Sequence, residues 1–265
     1  MPAPLWIAFD TETTGLEAGS RMVELAAVAF TLDGEIRDGF ASLIDPIMPM
    51  PADVVRVHGL DSGALAGQAT AADVLRRFLD WLPGGAVLVA HNAGYDMNIL
   101  GWELERCGLD WPSHHVVDSG RLARALGETR NCRLQTLVAH HGWILPGQPH
   151  RAECDAEAVR RLVMHALSRK LHLERPDLFI GRAFKGSWRY PRKLPESMAP
   201  LVEAIETGER VRLSYRDGRG SVTHRQITPF GLAEVKGGVQ FHGWCHARGA
   251  RRNFLASRVL ELGRP

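Results

Sequence analysis

Five consecutive apolar residues, Leu5 to Phe9, run directly into Asp10-Thr11-Glu12-Thr13-Thr14-Gly15, and this junction restricts what the chain can fold into. A short apolar run ended by a turn reads as a buried strand. Side chains two apart on a strand share a face, so Asp10 and Glu12 point the same way. No Lys or Arg occurs in the first twenty residues to neutralise them. Like charges held together raise a pKa or demand a cation, and hard oxygen donors select Mg²⁺ or Mn²⁺. The junction is a candidate metal site. An acidic surface turn would carry the same Asp-x-Glu, so the remaining chain must decide.

Two further strands are expected over Met22 to Thr31 and Phe40 to Ile44, joined through Leu32-Asp33-Gly34-Glu35, whose Asp-Gly is a hairpin signal. Pro46, Pro49 and Pro51 then interrupt regular structure before a short helix from Ala52 to Gly59. His58 stands at its end, either solvated and favoured by the helix dipole or turned to a substrate. Thr70 to Leu82 has apolar residues at helical spacing, and Ala86 to Ala90 reads as a second buried strand. That strand leads into His91-Asn92-Ala93-Gly94-Tyr95-Asp96, with Asp96 in the first turn of a helix. A first-turn acid complements the dipole, and it also lies at the carboxyl edge of the strand, where open α/β sheets bind ligands. Val116-Val117-Asp118 repeats the strand-to-helix step with Asp118 as the cap, and Leu134 to His141 is a further helix. His150 precedes a long helix that runs to about Arg169, in which Asp155 faces inward with Val159 and Leu162. A carboxylate thus has a histidine on a movable segment beside it.

With 265 residues and 45% hydrophobic content the chain can bury a substantial core. No apolar run approaches the roughly 20 residues of a membrane span, and Met1-Pro2-Ala3-Pro4 has no signal-peptide character. Cys107, Cys132, Cys154 and Cys245 form no C-x-x-C, which suits free thiols in a cytoplasmic, reducing setting. Residues 1–170 carry 15 basic and 21 acidic side chains, net −6, whereas 171–265 carry 17 and 9, net +8. An acidic front that collects metal and a basic rear that holds a polyanion is a charge pattern suited to a nuclease, and independent drift of two surfaces would also give it.

Phe9-Asp10-Thr11-Glu12-Thr13-Thr14-Gly15-Leu16, His91-Asn92-Ala93-Gly94-Tyr95-Asp96 and His150-x4-Asp155 resemble, in order and context, the three motifs of the histidine branch of the DEDD exonucleases. Within that superfamily the chain is similar to the proofreading exonuclease subunits of bacterial replicative polymerases. The resemblance implies an α/β, ribonuclease-H-like fold with a mixed five-stranded sheet, two divalent metals (Mg²⁺ or Mn²⁺) and removal of nucleotides from a 3′ end. It also implies that Asp10, Glu12 and Asp155 hold the metal that activates water, that Asp10 bridges to a second metal supported by Asp96, and that His150 takes the proton. Thr13, Leu16, His58 and Asn92 would line the nucleotide pocket. Single-stranded DNA is the expected substrate; an oligoribonuclease-like activity on RNA, and a ligand-sensing regulator with a non-catalytic nuclease fold, are the alternative readings.

Residues 1–170 form the expected exonuclease domain, 171–196 a basic and aromatic linker, and 197–265 a small second domain. In the linker Arg182, Lys185, Arg189, Arg192 and Lys193 alternate with Phe184, Trp188 and Tyr190. That composition suits single-strand binding, Trp188 stacking a base, or else aromatics that dock the linker onto a domain. Strand-like segments follow at Arg210 to Arg216, Val222 to Thr228, Gly231 to Val235 and Val239 to Cys245. Together with Pro229-Phe230-Gly231-Leu232 and Arg252-Asn253-Phe254-Leu255-Ala256-Ser257-Arg258-Val259 they resemble a WYL domain, which implies an SH3-like β-barrel that binds nucleic acid or a small ligand. The name-giving tripeptide falls on Val239-Gln240-Phe241. Arg212, Arg252 and Arg258 are the candidate nucleic-acid contacts of this part.

Overall fold

The computed structural model describes residues 4–264. Strands β1 (Trp6–Thr13), β2 (Met22–Phe30) and β3 (Ile36–Leu43) form an antiparallel meander. β4 (Val87–Ala90) runs parallel to β1, and β5 (His115–Asp118) parallel to β4. A sixth strand, β6 (Arg182–Ala183), pairs antiparallel with β5, giving the order β3-β2-β1-β4-β5-β6 where five strands were expected. The addition comes from the stretch read as an irregular linker. Its cause is packing: the neighbouring Phe184 is buried and meets Trp111 edge-on at 5.2 Å. Leu171 and Leu178 are buried in the same way against the sheet.

The helices are α1 (Ala52–His58), α2 (Ser62–Leu65), α3 (Ala71–Trp81), α4 (Gly94–Arg106), α5 (Ser119–Leu126), α6 (Leu134–His141), α7 (Ala152–Ser168) and α8 (Leu171–Glu174). They cover both faces of the sheet, and the alternation along β1 decides which side chain meets which helix. Ile7 and Phe9 pack with Val74, Phe78, Ile99 and Leu100 of α3 and α4. Trp6 and Ala8 pack with Ala158, Val159 and Val163 of α7. Continuing that parity, Asp10 and Glu12 open toward α7 and Thr11 toward α4. One apolar run therefore fixes the orientation of the acidic residues that follow it.

The C-terminal part comprises α9 (Ala199–Thr207) and strands β7 (Val211–Arg216), β8 (Val222–Val235), β9 (Gly238–Cys245), β10 (Ala250–Leu255) and β11 (Val259–Gly263), ordered β10-β9-β8-β7-β11. Every pairing is antiparallel, and among the described residues β10 and β11 do not pair, so the sheet is open where a closed barrel was expected. The two strands expected on either side of Pro229 are one strand. Pro229 lacks an N–H to donate, and the register shift between Pro229 and Gly231 absorbs the missing bond as a bulge.

This sheet packs directly on the loop after β1 and the segment around α1 of the exonuclease part. Met48, from the segment before α1, is buried with Leu201, Leu213 and Phe230 in the C-terminal core. Gly19 (φ 89) and Gly231 bring two backbones together: a Cβ on Gly231 would overlap the Gly19 carbonyl, and one on Gly19 would overlap the Leu232 backbone. Arg189 bridges to Glu234 through paired backbone hydrogen bonds of 3.0 and 2.8 Å. Among the described residues no helix is long and apolar enough to cross a membrane.

Candidate active site

Asp10 and Glu12 come from the end of β1 and Asp155 from the first turn of α7, and one carboxylate oxygen of each lies within 4.8 Å of the others. Asp96, in the first turn of α4, is tied to the same strand end from the opposite face, accepting from Thr11 Oγ1 at 2.8 Å. Both helices aim their positive N-terminal ends at the carboxylates. Gln135, in the first turn of α6, donates to Asp155 Oδ1 at 2.7 Å. Beside the cluster, Glu24 faces Glu12 across the β1–β2 ladder. Its charge is met by Arg151 (Nη2–Oε1 2.6 Å) and by the Ala152 N–H at 3.0 Å, which pins the start of α7 to β2.

The electrostatics follow from burial. Asp10 is pushed well above the ordinary carboxylate range, first by desolvation and then by Asp96, Asp155, Glu12 and Glu24. Glu12 is raised to about 9, again by burial first and then by Asp155, Glu24 and Asp96, with Arg151 opposing. Burial also raises Asp96, against the Thr11 hydrogen bond, and Asp155, against Gln135 and His150. The nearby guanidinium of Arg151 is committed to Glu24. Three oxygen-donor side chains converging without a counter-charge fit a divalent cation of hard character.

A cleft of about 280 Å³ beside the carboxylates is lined by Glu12, Thr13, Leu16, Val57, His58 and Arg251 among others. Leu16 is 78% exposed at its lip. Thr13 donates to Gly15 O at 2.7 Å, and Tyr95 OH reaches the same carbonyl at 2.6 Å. His58 is buried, not solvated. Its Nδ1 accepts from the Leu60 N–H (3.1 Å), so the neutral ring carries its proton on Nε2, which donates to Thr13 O at 3.3 Å. Burial lowers its pKa and keeps that ring neutral.

His150 is exposed beside Asp155, in the left-handed conformation at φ 59. Asn92 shares that conformation at φ 57, but its N–H donates to Asp118 Oδ1 at 2.9 Å and it does not line the cleft. Trp188 is half-buried and packs edge-on against Tyr95 at 6.0 Å, one step behind the cleft wall. Arg212 faces a cavity of about 700 Å³ on the C-terminal sheet, with Arg225, His224 and His246. Two strands separate it from Arg252 on β10, and Arg258 stands in the turn before β11, so the three arginines do not converge.

Residues 7–163 match the Exonuclease (RNase_T) family and residues 196–263 the WYL domain. The chain belongs to the exonuclease family. The exonuclease part is 40% identical over 159 residues to a DNA polymerase III PolC-type of Listeria welshimeri, covering 59% of this chain and 11% of that protein. It is 38% identical over 159 residues to the DNA polymerase III subunit epsilon of Treponema pallidum, covering 58% of this chain and 73% of that one. The chain thus spans about a tenth of the length of the polymerases it matches. A crystal structure of the E. coli ExoI–ssDNA complex superposes with a TM-score of 0.60 at 14% identity, over 91% of this chain and 54% of that one. That coverage extends beyond the exonuclease layer into the C-terminal sheet.

Several residues around the carboxylates escaped sequence reasoning. Glu24 was detectable as the lone acid in the apolar run Met22 to Phe30. Thr11 followed from strand parity once Asp96 was suspected. Gln135 and Arg151 had no local signal, because their roles arise from contacts across 20 and 127 residues.

Proposed function

We propose that the chain is a 3′-to-5′ exonuclease that hydrolyses phosphodiester bonds from the 3′ end of single-stranded DNA, using two Mg²⁺ or Mn²⁺ ions. The observation that carries this reading is the convergence of Asp10, Glu12 and Asp155 within 4.8 Å, with Asp96 behind the same strand end. Bound there, divalent cations would neutralise the phosphoryl group and acidify water.

The side chains supply the rest. Asp10, Glu12 and Asp155 would hold one ion, and Asp96, with Asp10, would support the other. His150, a solvent-facing imidazole beside Asp155, would take the proton of the attacking water. Leu16 wedges against the terminal base. Thr13 and the His58-supported backbone bind the last nucleotide, and Asn92, hydrogen-bonded to Asp118 outside the cleft, does not touch it. Arg212, Arg252 and Arg258, set apart on the C-terminal sheet, meet different phosphates of the strand beyond the cleft. Trp188 steadies the cleft wall from behind Tyr95, and the cavity around Arg212 takes a nucleic-acid phosphate or a small anionic ligand. Similarity to polymerase-associated exonucleases makes proofreading or repair in the cytoplasm the setting this reading favours.

The test is a Mg²⁺ and Mn²⁺ assay on labelled single-stranded DNA, duplex DNA and RNA, each with either end blocked. Loss of product on blocking the 3′ end, and not the 5′ end, is expected. Equal degradation of 3′-blocked strands would refute the polarity, and preference for RNA would move the reading to an oligoribonuclease.

A further inference from the structure

Ten residues along α7 from Asp155, about 15 Å at the helical rise, a second set of donors converges away from the catalytic carboxylates. Glu128 lies in the loop after α5, His141 ends α6, and His165 lies in the last turn of α7. One donor atom from each lies within 4.8 Å of the others. His165 Nε2 is 2.8 Å from Glu128 Oε2, and His141 Nε2 is 3.4 Å from the same oxygen. Bonds of about 2.0 Å at the tetrahedral angle give donor-to-donor edges of about 3.3 Å, so these separations bracket those around a tetrahedral ion.

A hydrogen bond explains only half of the arrangement. His165 can donate to Glu128, but His141 Nε2 is buried and makes no hydrogen bond. The ring is held in place by Trp143, stacked on it at 4.7 Å and 18°, and its centroid is 4.4 Å from that of His165. An imidazole nitrogen locked toward a carboxylate without a well-aligned proton between them is a lone pair without a partner. Arg169 approaches Glu128 only from outside, at 3.6 Å, with its side chain 63% exposed. Two imidazoles and one carboxylate are borderline donors that favour zinc over magnesium, and three protein ligands leave a fourth position for water.

We propose that Glu128, His141 and His165 form a zinc site, separate from the catalytic carboxylates, that staples α6, α7 and the loop after α5 to one another. Because the acidic cluster also holds cations, the test uses the full chain carrying Asp10→Ala and Glu12→Ala. Calorimetric titration with Zn²⁺ should show one ion per chain and a raised Tm. Adding His141→Ala and His165→Ala should weaken binding by more than about 100-fold, since losing even an outer partner of a ligand costs about 10- to 100-fold. His224→Ala, on the C-terminal sheet, should change nothing. If the double histidine variant does not fold, Glu128→Gln replaces it, and Co²⁺ added to the parent should give the intense visible bands of a tetrahedral ion. Zinc uptake that is absent in the parent, or the same in parent and ligand variants, overturns the site and leaves a proton-bridged His165–Glu128 pair only; weak six-coordinate cobalt bands overturn it likewise.

Discussion

Arg251, on β10 of the C-terminal sheet, holds Asp53 on α1 in a two-pronged ion pair, Nε to Oδ2 at 2.7 Å and Nη2 to Oδ1 at 2.8 Å. The same guanidinium reaches Glu17 Oε2 at 3.2 Å and lies over the Phe230 ring at 5.1 Å. Its hydrogen bond holds the Asp53 carboxyl below the usual range. Both partners line the cleft that contains Thr13, Leu16 and His58. The C-terminal sheet is therefore a wall of the cleft as well as a basic neighbour to an acidic layer.

Arg251→Ala should loosen that wall. It removes charge-assisted hydrogen bonds worth about 1.5–3 kcal/mol in full burial; with the Asp53 side chain 40% exposed, about 1–2 kcal/mol of stability is expected. KM for a DNA strand should rise with it. Arg251→Lys should not restore either, because the planar fork is lost. Urea unfolding and steady-state kinetics check this; a variant unchanged in both would mean the pair is incidental to the cleft.

Phe184→Ala should cost about 3–5 kcal/mol, the range for a buried aromatic cut back to Ala, although the residue lies in a stretch with the composition of a linker. Its ring is 6% exposed and packs in the α3–α4 core. For the same reason a chain ending near residue 170, which also loses Leu171 and Leu178, should unfold at lower temperature than one ending near 194. Calorimetric scans of the two truncations would decide, and equal Tm values would show that the segment contributes no packing.

What was readable from the sequence was whatever repeats at a period of two or of three to four residues. The alternation on β1 fixes the common face of Asp10 and Glu12, and helical spacing sets Asp155 inward with Val159 and Leu162. Phe184 was not readable, because an isolated aromatic between cations has no period and its burial depends on Trp111, distant in sequence. Nor was the bend of β8 at Pro229, where a bulge keeps the strand whole. His58 was ambiguous for the same reason: its burial comes from hydrogen bonds to Thr13 and Leu60, and only the first of these is long-range.

Asp10→Asn should abolish turnover while stabilising the metal-free protein. The carboxylate is disfavoured by burial and by four neighbouring acids, so an amide of the same size relieves repulsion without opening a cavity. A gain of about 1 kcal/mol, or about 2–4 °C in Tm for a chain of this size, is expected in EDTA, and the advantage should shrink once Mg²⁺ is added. A lower Tm in EDTA would show that Asp10 makes a stabilising contact instead.

His150→Ala should lower kcat by about 10²- to 10⁴-fold, the usual worth of a general base, with metal affinity little changed. The side chain is exposed and separate from the three carboxylates that converge. Lost calorimetric metal binding, with the rate restored at high metal, would reassign His150 as a ligand.

His242 should make the contact between the C-terminal sheet and the loop after β1 sensitive to acid. It is 1% exposed, neither ring nitrogen makes a well-formed hydrogen bond, and Gly231 packs against its ring. Burial drives its pKa well below the ordinary value, with Arg251 acting in the same direction and Glu17, 4.0 Å away, and the Ala18 backbone opposing. The folded ring is therefore neutral where the unfolded one takes a proton below about pH 6.5. Since the unfolded chain binds the extra proton, stability from this group is complete above about pH 6.5. It is lost as pH falls toward the depressed folded value, by at most about 1.4 kcal/mol per pH unit. Other groups titrate in the same range, so the quantity to measure is the difference between wild type and His242→Gln in urea unfolding at pH 7.5, 6 and 5. Their stabilities should converge as the pH drops, because the variant has no proton to take up at this position. A constant gap across the three pH values would mean that His242 titrates alike in the folded and unfolded chain, and that the acid sensitivity of the contact lies elsewhere.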